Sequence, residues 1–154
     1  MDAAIYRALL DHRPTIRSQW EKVLRLDRGS SPLARPATLV YLLDTTLDEI
    51  FAILPNWSVR RHPSRMDAPP CPCGRNPFLA YFAAGRQAMH EGLVTVQARD
   101  AALTKHARDE AFACLDQAFQ HLARREIEAF CQVCQFHPAT HRRGDSGASL
   151  ATDR

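Results

Sequence analysis

The sequence predicts an all-α fold, an up-down helical bundle of four main helices. Apolar residues recur at spacings of three and four through four successive stretches, the mark of helices with one buried face. No stretch alternates with the two-residue period of a strand, and no internal repeat appears. Proline, glycine and serine fall between the helical stretches, where they punctuate the chain. Helices joined in order by such breaks favour antiparallel neighbours.

The first helical pattern is Ile5, Leu9, His12, Ile16, Trp20 and Val23. Pro14 interrupts it, so this helix is expected to be kinked, or split with Pro14 in the first turn of a second piece. Gly29-Ser30-Ser31-Pro32 stops it. The second pattern opens at Arg35-Pro36 and carries Leu39, Leu42, Leu43, Thr46, Leu47, Ile50 and Leu54 on one face, up to Pro55. Residues 55–75 hold five prolines and no helical period, which reads as a long Pro-rich loop pinned at one point by Trp57.

Asn76-Pro77 is a helix start, with asparagine as cap and proline in the first turn. Phe78, Phe82, Gly85, Met89, Leu93 and Val96 follow one face. Glycine costs about 1 kcal/mol inside a helix, so Gly85 is expected to mark a close helix crossing. The last helix is expected to be capped by Asp100 and to run to about Phe136, with Pro138 forbidding continuation. Its core face reads Ala111, Leu115, Ala118, Leu122 and Ala129, with Phe112, Phe119 and Phe130 beside it. Residues 1–137 form a single helical-bundle domain on this reading, and 138–154, polar and small, a disordered tail.

The chain has 154 residues, 45% hydrophobic and 24% charged, ordinary for a globular protein large enough to bury a core without disulfides. A net charge of +3 gives no argument for nucleic acid as a partner. No run of 18 apolar residues is present, so no membrane span is expected, and the first residues lack the features of a signal peptide. A reducing, cytoplasmic setting follows as the expectation. Five cysteines there suit metal ligation, redox chemistry or core filling rather than a disulfide framework.

Four of those cysteines form two pairs, Cys71-Pro72-Cys73 and Cys131-Gln132-Val133-Cys134. The last helix, taken as about 37 residues, would be roughly 55 Å long, against roughly 33 Å for the helix before it. Laid antiparallel, Pro77 then falls level with about residue 122. Four extended residues back to Cys73 climb about 13 Å, to the level of about residue 131. The two pairs are thereby expected to meet and to hold a metal. Four thiolates suit tetrahedral zinc, with His137, one turn on, as a substitute ligand. An iron–sulfur cluster takes the same four thiolates and ranks below zinc, and hard cations would want oxygen. The same residues also suit other roles: Cys131 and Cys134 as small apolar fillers, Cys71 and Cys73 as loop thiols. Cys114 reads as core filler.

Elsewhere the signals are weak. His90, His106 and His121 read as surface or satisfied histidines rather than haem ligands. The carboxylates show no paired Glu-X-X-His pattern of a di-iron bundle. Arg60, Arg61, Arg65 and Arg75 read as a solvated basic loop. No phosphate loop, nucleophile elbow or dinucleotide fingerprint occurs.

The opening, Leu9-Leu10-Asp11-His12-Arg13 through Ile16 to Trp20 and Leu24, resembles the first helix of small helical sensor domains attached to bacterial stress-response and kinase proteins, the stressosome type. The likeness covers about the first 25 residues and rests mainly on helical periodicity. It implies a regulatory module that senses a signal or docks a partner. With no catalytic constellation and a ligand set with no obvious open position, the expected function is a cytoplasmic regulatory or interaction module with a structural zinc, engaging a protein partner or itself. Two alternatives use the same cysteines: a redox- or metal-responsive sensor, and a small metalloenzyme with three cysteines and an open position.

Overall fold

Asp2 opens the first helix by accepting the backbone N–H groups of Ala4 and Ile5 at 2.8 and 3.2 Å, two of the donors that a helix start leaves without partners. In the computed structural model, which describes residues 1–26, 35–59 and 75–134, this helix is α1 (Ala3–Asp11). It ends at His12, and α2 (Arg13–Leu26) follows directly. Pro14 has no N–H for the Leu10 carbonyl and its ring crowds that oxygen, so the chain restarts. Of the two expected outcomes, kink or split, the split is observed, with Pro14 in the first turn of the second piece.

The second expected helix is divided more finely than its periodicity suggests. It comprises α3 (Pro36–Leu39), a 3₁₀ turn over Val40–Leu42, α4 (Leu43–Ile53) and a closing 3₁₀ turn over Leu54–Asn56. The tighter turn shifts the angular register and swings Leu42 outward, to 38% exposure. Leu39, Leu43, Leu47, Ile50, Phe51 and Leu54 carry the buried face instead.

Two long helices follow. α5 (Pro77–Ala98) begins where expected, with the Asn76 side chain accepting from Phe78 N–H at 2.9 Å. α6 (Lys105–Val133) begins four residues later than expected. Asp100 spends its side chain on the Ala102 N–H in the connecting turn, and Thr104 caps the helix by accepting from Ala107. Arg108 closes that turn by donating to the carbonyls of Leu103 and Asp100, and Gln97, buried, donates to the Arg108 carbonyl. Cys134, at the far end, is already extended, so α6 stops short of Phe136.

α5 packs against α2, α6 and α1, while α4 packs against α2 and α6, and the buried apolar side chains form one connected core. The α2–α5 approach is the closest feature of that core. A Cβ on Gly85 would lie 2.2 Å from Trp20 Cζ2, and one on Gly92 would lie 2.7 Å from Ile16 Cγ1. Gly85 thus marks the close crossing that its position in the sequence predicts. The gap it leaves also exposes the Tyr81 carbonyl, which accepts the Trp20 indole N–H at 3.0 Å. On the outer side of α2, Arg13 and Arg17 reach Asp48 and Asp44 at 2.8 and 3.0 Å, tying α2 to α4.

Among the described residues there is no strand, and no helix is long and apolar enough to cross a membrane. Residues 60–74, most of the expected Pro-rich loop, and 135–154, which include the expected tail, lie outside the described residues.

Candidate metal centre

Asn76 is the residue that defines this end of the molecule. Capping α5 fixes its side-chain oxygen toward Phe78 N–H, so its NH₂ group must face the other way, into α6. There it donates to the Ile127 carbonyl at 3.1 Å and to Cys131 Sγ at 3.6 Å. With 3% of its surface exposed, Asn76 is one of few buried polar side chains among the described residues. The ring of Phe78 stands edge-on to Phe130 at 6.2 Å and covers the same contact.

Cys131 lies half-buried in the last turn of α6, and Cys134 half-buried at its C-terminal cap. The sequence places both three apart on a helix; the structure leaves Cys131 on it and Cys134 at the point where it ends. Cys71, Cys73 and His137 lie outside the described residues. Among the described residues no three metal-ligating side chains converge. Cys114 is fully buried, its Sγ 4.0 and 3.9 Å from the carbonyls of Leu54 and Trp57, and burial pushes its thiol pKa up. It is a core residue, as expected.

The register between α5 and α6 differs from the sequence expectation. With α6 starting at Lys105, four residues late, the expected level of the α5 start slides from about residue 122 to about residue 126, and Asn76 meets Ile127 and Cys131. Ala129, expected on the core face, is exposed, and Ile127 carries the buried face at that level instead.

The remaining candidates resolve into structural roles. His90 Nε2 lies 2.8 Å from Asp116 Oδ1, and Arg86 holds the same carboxylate through two bonds of 2.9 and 3.2 Å, which straps α5 to α6. Trp57 packs against the core, its ring 5.3 Å from that of His121 and tilted by 49°, which holds the start of the Pro-rich segment to α6. His106 is exposed on the first turn of α6. Of the basic loop, Arg75 is exposed, and Arg60, Arg61 and Arg65 lie outside the described residues.

Sequence reasoning identified Asn76 only as a cap. Its second role, as donor to a sulfur 55 positions away, has no local signal, because it depends on the register of two helices. A buried asparagine beside proline at a helix start is legible; which carbonyl and which sulfur it meets is not. Comparison with protein-family models, curated proteins and solved structures finds no match to this chain.

Proposed function

We propose that this chain is a cytoplasmic regulatory or interaction module. Its α1–α2, α3–α4, α5 and α6 segments form the four staves of an up-down bundle. A structural zinc, held by Cys71, Cys73, Cys131 and Cys134, ties the Pro-rich 55–75 loop to the end of α6, and the module serves a protein partner or a second copy of itself. The observation that carries the metal reading is the Asn76 contact with Cys131 at 3.6 Å. Cys73 precedes Asn76 by three residues, so chain length alone keeps its Cα within about 11 Å of Asn76. With the register slid, an extended run from Pro77 back to Cys73 would pass the level of Cys131, so the reading has the chain turn at Gly74 to bring its cysteines back to that level. Soft thiolate donors favour zinc over calcium or magnesium.

Metal analysis of untagged protein tests the proposal. One zinc per chain is expected. Cys73→Ser and Cys131→Ser should each lose it and fall by several kcal/mol in stability, because metal binding is linked to folding. Wild-type protein without bound metal, or a Cys73→Ser variant that melts where the wild type does, counts against it. A redox-responsive reading draws support from the half-exposed positions of Cys131 and Cys134, which reagents can reach. Zinc released by peroxide and restored by a thiol reductant would favour it.

A further inference from the structure

Where α2 and α5 approach most closely, the surface between them opens into a groove of about 160 Å³. Its floor is buried and apolar, formed by Ile16, Ala88 and Gly92. Its rim is polar, with Thr15 and Gln19 on α2 and Glu91 and Thr95 on α5. A cavity of about 150 Å³ holds one benzene, so this volume suits a ligand of about five or six heavy atoms.

Glu91 sets the chemistry of the groove. Gln19 donates to one of its carboxylate oxygens at 2.9 Å, and Gln87 donates to the other at 2.9 Å. Both donors are neutral amides, so they fix the carboxylate without compensating its charge. Elsewhere among the described residues, every carboxylate that another side chain holds is held by an arginine, a lysine or a histidine. No arginine or lysine lines this groove, and His12 is the other titratable side chain in it. Each carboxylate oxygen keeps a lone pair for a further donor. The Thr95 hydroxyl donates to the Glu91 carbonyl at 2.8 Å, which leaves its own lone pairs to accept.

We infer that this groove binds a primary ammonium on a short aliphatic stem, the head of a free amine or of a lysine side chain. The ammonium carries three donors and no acceptor, so it pairs with Glu91 and donates to Thr95. Its methylenes lie on Ile16, Ala88 and Gly92. The site is independent of the zinc reading.

Butylammonium chloride titrated into the full chain, followed by nitrogen–proton correlation spectra, tests the inference. Saturable shifts of the Gly92 and Thr95 amides are expected, and sodium chloride at the same ionic strength should not produce them. Butanol, with the same stem and a neutral head, should bind the wild type about tenfold more weakly, and Glu91→Gln should weaken butylammonium binding by about the same factor. Gln19→Lys, which supplies an internal ammonium to the same carboxylate, should abolish it. Tighter binding of butylammonium than of Nα-acetyl-lysine amide assigns a free amine, and the reverse assigns a lysine side chain. No saturable shift in the wild type, butanol binding as tightly as butylammonium, or unchanged affinity in Glu91→Gln or Gln19→Lys overturns the inference.

Discussion

α5 has two long seams, and they are built by different means. Toward α2 the contact is a matter of shape: Gly85 and Gly92 make room, and Trp20 and Ile16 fill it, with one buried hydrogen bond from Trp20 to the Tyr81 carbonyl. Toward α6, Phe82 meets Phe119 at 5.6 Å in the middle. Placed polar groups fix the register: Asn76 at one end, Gln97 at the other, and Asp116 with Arg86 and His90 between. A seam set by shape fails when volume is added. A seam aligned by polar groups loses its alignment piece by piece.

The sharpest break between the two is Gly85→Ala. The new methyl would meet the Trp20 ring at 2.2 Å. Trp20 is fully buried, and its indole N–H is committed to Tyr81, so the ring has nowhere to swing. Overpacking of this kind costs about 1–3 kcal/mol or more, and the gain in helix propensity returns only about 1. A net loss of about 2 kcal/mol is expected in urea unfolding, unchanged by salt. Gly92→Ala meets Ile16 Cγ1 and Cδ1 instead, at 2.7 and 2.9 Å, a smaller overlap than the Trp20 ring makes, and should cost less, about 1 kcal/mol. Making Trp20→Phe in the Gly85→Ala background should recover at least ~1 kcal/mol relative to additivity, since the two residues touch. Strict additivity would mean that the glycine is not there for the ring.

The difference between the seams also explains what the sequence revealed. Gly85 announced its crossing, because glycine inside a good helix carries a cost that only close packing offsets. Asn76-Pro77 announced the start of α5, because capping is chemistry between near neighbours. The start of α6 was misplaced for the same local reason: Asp100 and Thr104 are both good caps. The choice between them was made by Arg108 and Gln97, which close the turn through carbonyls that only the folded chain brings within reach. That four-residue difference carries through to the register and to the level at which the cysteines of α6 meet α5. Leu42 was misread because a 3₁₀ turn leaves the helical period without any proline or glycine to mark it.

Tyr81 belongs to the shape-built seam and gives it a pH signature. Its hydroxyl donates to Thr46 Oγ1 at 2.8 Å, and burial pushes its pKa up to about 12 even though that bond favours the ionised form. The folded state therefore keeps the proton at pH values where the unfolded chain, titrating near 10, has released it. Below pH 10 both states hold the proton and nothing changes. Between about 10 and 12 the unfolded state binds fewer protons, so stability falls with rising pH, at most by about 1.4 kcal/mol per unit. By pH 11 the wild type should lose about 1 kcal/mol that Tyr81→Phe does not, read as the difference between their unfolding free energies across the titration. Parallel curves for the two proteins would mean that the hydroxyl is reached by water.

The smallest effect is expected on the other seam and is the more telling for it. Asp116 holds Arg86 through two bonds and His90 through one, with all three side chains between 30% and 49% exposed. Ion pairs in that setting contribute about 0–1 kcal/mol each and are screened by salt. Asp116→Asn should lower stability by about 0.5–1 kcal/mol in dilute buffer and by almost nothing in 1 M NaCl, where the screening length is about 3 Å. Gly85→Ala should cost the same in both. If Asp116→Asn costs as much in high salt as in low, then the strap works through packing of its stems, and the contrast between a shaped seam and a charge-aligned one does not hold.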